Sequence, residues 1–155
     1  MRELVVVLHN IRSLHNVGSI FRTADAAGVA KIYLCGITGT PLDRFGNVRP
    51  EVGKVALGAE RTVAWEKAAR TLNILKKLKA EGDKIFALEQ SPNAVPYDRV
   101  RFAGKAALVL GNEVAGLPPP ILKMADKTVE IPMRGKKESL NVSVAFGIAV
   151  FALTR

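Results

Sequence analysis

The stretch from Ser139 to Val150 reads SLNVSVAFGIAV and is the most informative part of the chain. Two short polar residues, Ser139 and Asn141, open an almost wholly apolar helix, where they can cap the helix or hold a ligand. Just upstream, residues 131–135 (IPMRG) form a strand end that runs into a basic loop. Residues 16–23 (NVGSIFRT) repeat the arrangement, with one buried-looking arginine in an apolar helix. Two such helix starts on a basic protein indicate a site for a phosphate-bearing partner.

The composition is that of one folded domain with a strong positive charge. The 155 residues include 23 Lys and Arg against 14 Asp and Glu, giving a net charge of +9. Such a charge attracts polyanions such as nucleic acid, and a charge that only maintains solubility explains it equally well. The single cysteine, Cys35, forms no internal disulfide, which favours a reducing compartment. With no signal peptide and no apolar run of transmembrane length, we expect a cytoplasmic protein.

Apolar runs alternate with amphipathic stretches along the whole chain, which predicts an α/β fold with a mostly parallel sheet and helices on both faces. The segment 36–61 is rich in glycine, proline and charge, and is predicted to be a long surface loop with one short helix. Ligands of such sheets bind at the carboxyl ends of the strands. The predicted strands are 4–8, 30–35, 83–88, 106–110 and 127–131, and the predicted helices are 17–27, 65–80, 118–124 and 140–152.

The segment 110–120, LGNEVAGLPPP, directly follows a predicted buried strand. Gly111 lets a ligand approach the backbone closely, and Gly116 permits a tight turn before the prolines. The glycine and lysine spacings of a phosphate-binding loop or a dinucleotide fingerprint are absent. Glu113 is the one acid of the segment, and a capping role for its carboxylate is about as plausible as a direct functional role.

Arg22 lies in an apolar helix and is expected to be buried against an anionic partner. That partner is either an internal carboxylate, Asp25 or Glu113, or the phosphate of a ligand held in bidentate fashion. Arg12, in the preceding loop, is a further phosphate-binding candidate. Two histidines and one cysteine are too few for a metal site, so no metal is expected.

Two loops combine features that suit RNA. Arg44 and Arg49 flank Phe45 in the long loop, and mixed aromatic and basic loops suit unstacked RNA. The RGKK loop, with Arg134, Lys136 and Lys137, lies beside the predicted site. The lysines between residues 67 and 79 are weaker evidence, because lysines on an amphipathic helix usually form a solvated face.

Three segments in order resemble the motifs of the SpoU/TrmH family of RNA 2′-O-ribose methyltransferases, within the SPOUT class. Residues 10–29 (NIRSLHNVGSIFRTADAAGV) resemble the first motif, 108–118 (LVLGNEVAGLP) the second, and 131–151 (IPMRGKKESLNVSVAFGIAVF) the third. The resemblance implies an α/β SPOUT fold with a C-terminal deep trefoil knot, S-adenosylmethionine (AdoMet) bound in the knot, no metal, and a homodimer. By motif position it also implies cofactor contacts by Gly111, Ile131, Leu140 and Leu88, and a catalytic set of Asn16, Arg22, Glu113, Ser139 and Asn141.

The three motifs extend from about residue 10 to the end of the chain, so we expect a single SPOUT catalytic domain over residues 1–155. Many members of the family carry an additional RNA-binding domain; none is expected here, so the chain is expected to bind RNA with its own loops or those of a second protomer. Both transfer RNA and ribosomal RNA fit, with transfer RNA slightly favoured because a compact dimer suits a small folded substrate. Two alternatives from other classes are a non-catalytic RNA-binding protein with this fold and a small-molecule nucleotide-binding domain. The salt dependence of binding distinguishes the two RNA-binding functions from the nucleotide-binding domain. RNA binding weakens steeply as the salt concentration rises, whereas binding of a small nucleotide responds much less.

Overall fold

The computed structural model describes residues 2–155. Within that range, seven strands form one all-parallel sheet in the order β3-β2-β1-β6-β4-β7-β5. The strands are β1 (Arg2–His9), β2 (Lys31–Cys35), β3 (Ala64–Ala68), β4 (Lys84–Leu88), β5 (Val95–Pro96), β6 (Gly104–Gly111) and β7 (Lys127–Glu130). The α-helices are α1 (Leu14–Ala27), α2 (Pro50–Ala56), α3 (Ala59–Thr62), α4 (Thr71–Ala80), α5 (Pro119–Met124) and α6 (Val142–Thr154).

The sheet is covered on both faces, as predicted from the alternation of apolar and amphipathic segments. Because side chains alternate along a strand, Val6 and Leu8 of β1 face one core while Val5 and Val7 face the other. The first core is closed by α1, α2, α3 and α6, and the second by α4 and α5. Because all seven strands are parallel, their carboxyl ends lie at one edge of the sheet, where ligands of such folds bind.

Two segments differ from the sequence prediction. Residues 65–80 were predicted as one helix, but Ala64–Ala68 is a strand and only Thr71–Ala80 is helical. This strand lies at the edge of the sheet and is half exposed, so it lacks the apolar run that marks a central strand. The segment 36–61 holds two short helices rather than one, and α2 packs so closely on α1 that a Cβ on Gly18 would lie 2.8 Å from the Val52 carbonyl oxygen.

The last helix, α6, is apolar on all sides. Phe146, Ala149 and Val150 are fully buried in the first core. Val144 and Phe151, seven residues apart and therefore on one face, are 51% and 50% exposed. In residues 2–155 no helix is long and apolar enough to cross a membrane.

Candidate active site

A cleft of about 360 Å³ opens at the carboxyl edge of the sheet, over the ends of β4, β6 and β7. All four residues predicted to contact the cofactor line it: Leu88 ends β4, Gly111 ends β6, Ile131 follows β7, and Leu140 precedes α6. Glu113 and Ser139 of the predicted catalytic set line it as well. Residues distant in sequence thus meet at one cavity.

The turn after β6 forms one wall of this cleft. The Asn112 side-chain oxygen accepts hydrogen bonds from the amides of Val114 (3.0 Å) and Ala115 (2.7 Å), and the Gly116 amide donates to the Asn112 carbonyl at 2.9 Å. Gly116 has φ +64°, which disfavours any residue with a Cβ. A Cβ on Gly111 would lie 2.5 Å from the Gly116 carbonyl oxygen, so both glycines are required by close approach.

Glu89, which the sequence analysis missed, fixes the far side of this turn. Its Oε2 accepts a hydrogen bond from the Leu117 amide at 3.0 Å, and a Cβ on Gly116 would lie 2.5 Å from the same oxygen. The available signal was its position directly after the buried strand β4, where side chains reach the ligand-binding edge. Glu89 therefore shapes the cleft that Leu88 also lines.

A chain of polar side chains joins the three motif segments at the cleft mouth. Asn16 is only 6% exposed; its Nδ2 donates to Glu113 Oε1 at 2.6 Å, and its Oδ1 accepts from Asn141 Nδ2 at 3.3 Å. Ser13 caps α1 by accepting from the Asn16 amide at 3.1 Å. Asn141 in turn caps α6, because its Oδ1 accepts from the Ser143 amide at 2.9 Å. Asn16, Glu113 and Asn141 are thus brought together, as three of the five predicted catalytic residues.

Arg22 is exposed, so the prediction that it is buried was wrong. Ile20, Phe21 and Ala24 form the buried side of α1, and Arg22 projects from the other side. Among residues 2–155 no carboxylate lies within 4.0 Å of its guanidinium, so the internal ion pair with Asp25 or Glu113 is not formed. Next to Arg22, Thr23 packs against α6, with its Cγ2 3.7 Å from a Cβ built on Gly147. The guanidinium is therefore available to an external anion.

The predicted RNA-binding residues are mostly exposed. Arg12, Arg44, Arg134, Lys136 and Lys137 are solvent-exposed, and Arg44 lies over the ring of Phe45 with its guanidinium carbon 4.9 Å from the centroid. Arg49 is half-buried, and its Nε donates to the Thr40 carbonyl at 3.2 Å. Arg49 therefore stabilises the long loop, and fewer of its N–H groups remain free to bind a ligand.

The cleft carries a charge opposite to that of the protein. Among residues 2–155, its lining includes the carboxylates of Glu89, Glu113 and Glu130 and no lysine, arginine or histidine. A phosphate there would face acids without a cation, whereas a positively charged ligand would be attracted. AdoMet has a net positive charge, because its sulfonium and ammonium groups outweigh its one carboxylate, and its adenine ring has two apolar faces. It therefore fits this combination of carboxylates and the apolar side chains of Leu88, Ile131 and Leu140.

The thiol of Cys35, which ends β2, contributes no nucleophile at this edge. Burial raises the pKa of the Cys35 thiol to about 11, so the thiol stays protonated and inert at neutral pH. Within residues 2–155 no three His, Cys, Asp or Glu side chains are grouped so as to hold a metal ion. The reactive groups at this cleft and the polar chain are therefore the three carboxylates, the side-chain amides of Asn16 and Asn141, and the Ser139 hydroxyl, with the Arg22 guanidinium exposed on α1.

Comparison with known proteins agrees with this architecture. A family model described as the SpoU rRNA methylase family matches residues 3–151. The chain is 34% identical to a 23S rRNA (guanosine-2′-O-)-methyltransferase of Acinetobacter baylyi over 155 residues, covering 99% of the chain and 60% of that protein. It is 33% identical to a tRNA (guanosine(18)-2′-O)-methyltransferase of Aquifex aeolicus, covering 99% of the chain and 70% of that protein.

Solved structures give the same result. The crystal structure of the A. aeolicus TrmH/SpoU tRNA modifying enzyme superposes with a TM-score of 0.85 at 32% identity, covering 99% of this chain and 75% of that one. The AdoMet-bound rRNA methyltransferase from Sinorhizobium meliloti also has a TM-score of 0.85 at 32% identity, covering 97% of this chain and 55% of that one. The chain thus spans between about half and three quarters of the length of these relatives.

Proposed function

Because the chain belongs to the SpoU rRNA methylase family, we propose that it transfers a methyl group from AdoMet to a ribose 2′-hydroxyl of RNA. The observation that carries this proposal is the hydrogen-bonded chain of Glu113, Asn16 and Asn141 at the mouth of the carboxylate-lined cleft. Both alternatives fit less well. A small nucleotide would place its phosphate against the three carboxylates of the cleft. A non-catalytic RNA-binding protein would not need the cleft or the hydrogen-bonded chain at its mouth.

Leu88, Gly111, Ile131 and Leu140 would hold the cofactor against the cleft walls. Bound AdoMet supplies a methyl group that is already activated on sulfur, so the protein's task is to align the 2′-hydroxyl and to assist loss of its proton. Asn16 and Glu113 would orient the ribose, with Ser139 and Asn141 positioning the nucleotide and the loop before α6. The buried Asn16 amide, hydrogen-bonded at both ends, supports a role in fixed positioning.

Arg22 acts in this proposal as a clamp on the phosphate beside the target ribose rather than as the base. A guanidinium keeps its proton at neutral pH and is therefore a poor base. Its exposure and lack of an internal carboxylate partner support an anionic ligand from outside. The proton then leaves through that phosphate or a water molecule, while the guanidinium stabilises the developing alkoxide.

We further propose that the enzyme works as a homodimer paired through α6, with a trefoil knot formed by the C-terminal segment. The half-exposed Val144 and Phe151 on one face of α6 support an apolar interface. Arg22 lies on α1 beside this helix, so the interface and the reacting nucleotide would be close. The substrate is RNA gripped by the exposed basic loops, and we favour transfer RNA over ribosomal RNA because a compact dimer suits a small folded substrate.

The test is incubation of the protein with methyl-tritiated AdoMet and separated transfer and ribosomal RNA fractions, alongside calorimetric measurement of AdoMet binding. We expect AdoMet to bind and label to enter one RNA fraction. Binding of RNA without binding of AdoMet would overturn the proposal in favour of the non-catalytic RNA-binding protein. The labelled fraction decides between transfer and ribosomal RNA.

A further inference from the structure

A second cleft, of about 400 Å³, opens at the same edge of the sheet but on the face covered by α4 and α5. It lies over the ends of β1 and β2, and its walls include the apolar side chains of Leu72, Pro118, Pro120 and Ile121. The first cleft has none of these side chains in its lining. The second cleft is therefore a separate cavity, which the proposed methyl transfer does not use.

The two clefts have opposite charge. Among residues 2–155, the lining of the second cleft includes Arg70 and Lys76 and no carboxylate, whereas the first includes three carboxylates and no cation. Both cationic residues are exposed, and neither forms an ion pair within the described part of the chain. The apolar walls and cationic rim suit a ligand with an apolar ring and a phosphate.

The walls of the second cleft are fixed by hydrogen bonds. His9 Nδ1 and the Thr71 hydroxyl lie 2.6 Å apart and join the end of β1 to the start of α4. Asn10 Oδ1 accepts from the Ile37 amide at 3.0 Å, and Lys67 Nζ donates to the Gly36 carbonyl at 2.6 Å. The cleft is thus formed before any ligand arrives, which lowers the entropic cost of binding.

We propose that this second cleft binds a nucleotide of the substrate RNA that flanks the methylated one. The base would pack against the apolar walls near Leu72 and Pro118, and Arg70 and Lys76 would contact its phosphates. The inference rests on the proposed function and extends it from the reacting nucleotide to a neighbour in the same RNA strand.

The two clefts adjoin, which favours RNA over a free nucleotide as the ligand. Leu117 lines the first cleft and the next residue, Pro118, lines the second. His9 of the second cleft is paired in register with Gly111 of the first, on strands about 4.8 Å apart. One RNA strand can therefore present a nucleotide to each cleft at once.

The charge contacts are tested with the double variant Arg70→Gln/Lys76→Gln, compared with Lys84→Gln/Lys127→Gln as the matched control. The control removes the same charge from the amino ends of β4 and β7, at the opposite edge of the sheet. Loss of two contacts with single-stranded RNA should reduce the slope of log affinity against log salt by about 1.4, since each contact contributes about 0.7. The control should change this slope much less, and AdoMet affinity should be unchanged in both.

The shape of the cleft is tested separately with Ala69→Leu, which adds a branched side chain to the lining at an exposed position and offers no aromatic face on which a base could stack. We expect RNA affinity to fall several-fold with the wild-type salt slope preserved, because packing of the base against the apolar walls is lost while the phosphate contacts remain. A double variant with the same RNA affinity and salt slope as its charge control, together with an Ala69→Leu variant of wild-type RNA affinity, would overturn the inference. A wild-type protein that binds RNA through this cleft but neither binds AdoMet nor transfers methyl would instead refute the proposed function alone.

Discussion

The hydrogen bond between Asn16 and Glu113 gives the sharpest quantitative prediction. Asn16→Ala removes the 2.6 Å bond to the carboxylate and the 3.3 Å bond from Asn141. A hydrogen bond to a charged group contributes about 1.5–3 kcal/mol. Glu113 is exposed, and water can replace part of this interaction, so we take the lower end, about 1.5 kcal/mol, for the coupling between the two side chains.

The measurement is a double-mutant cycle of Asn16→Ala, Glu113→Ala and the combined variant, read as the free energy of unfolding in urea. A coupling of about 1.5 kcal/mol means that the combined variant is about 1.5 kcal/mol more stable than the sum of the single effects predicts. The kcat/KM for methyl transfer to RNA, measured on the same four proteins, separates a loss of positioning from a loss of stability. Ser19→Ala, on the same helix but outside the polar chain, is the control for a substitution in α1.

Additive single effects, with a coupling below about 0.5 kcal/mol, would refute the reasoning, because residues that act through one hydrogen bond cannot be energetically independent. The same conclusion would follow if Glu113→Ala alone left kcat/KM unchanged. In that case the carboxylate would serve only to hold the Asn16 side chain; it does not cap the nearby amides, because Asn112 accepts the hydrogen bonds from Val114 and Ala115.

Three further predictions follow from single contacts. Arg22→Lys should lose about 100-fold in methyl transfer while AdoMet affinity by calorimetry is kept, because lysine lacks the bidentate geometry; near-normal turnover would contradict the clamp. Gly116→Ala should weaken AdoMet binding, because its Cβ would meet Glu89 Oε2 at 2.5 Å, whereas Gly46→Ala, with φ +81° and no atom within 4 Å, should not. Asp83→Asn should raise the melting temperature at pH 7 by about 2–4 °C, about 1 kcal/mol, since Asp83 is 7% exposed with an unpartnered Oδ1 among residues 2–155. Burial raises the Asp83 pKa, so this gain should shrink as pH falls through that pKa, and a pH-independent gain would argue against the cause.

The central strands and the first helix could be predicted because their patterns are unambiguous. The apolar runs of β1 and β6 have no helical period, and α1 ends at Gly28 with φ +78°, as its glycine predicts. The edge strand β3 could not be predicted, because its half-exposed sequence AWEKA resembles the amphipathic sequence of the helix α4 that follows it. The roles of Glu89 and Glu130 in the first cleft could not be predicted either, because both residues are distant from Glu113 in sequence. Only the strand order of the sheet brings the three carboxylates together in one cleft.

The surroundings of Arg22 show the limit of local reasoning. Its apolar neighbours in sequence suggested burial, but Ile20, Phe21 and Ala24 turn toward the core and leave Arg22 on the outer side of the helix. The motif resemblance nevertheless selected residues that the fold brings together, because motif spacing reflects the strand ends at one edge of the sheet. Asn16, Glu113 and Asn141 meet there although 97 and 125 residues separate the hydrogen-bonded pairs.

The position of the transferred methyl group tests the central claim most directly. RNA labelled by the protein with methyl-tritiated AdoMet is digested with alkali, which cleaves only next to a free 2′-hydroxyl. We expect the label in alkali-resistant dinucleotides, since a methylated 2′-oxygen cannot attack the adjacent phosphate. Label recovered in mononucleotides would place the methyl group on a base and would contradict the account.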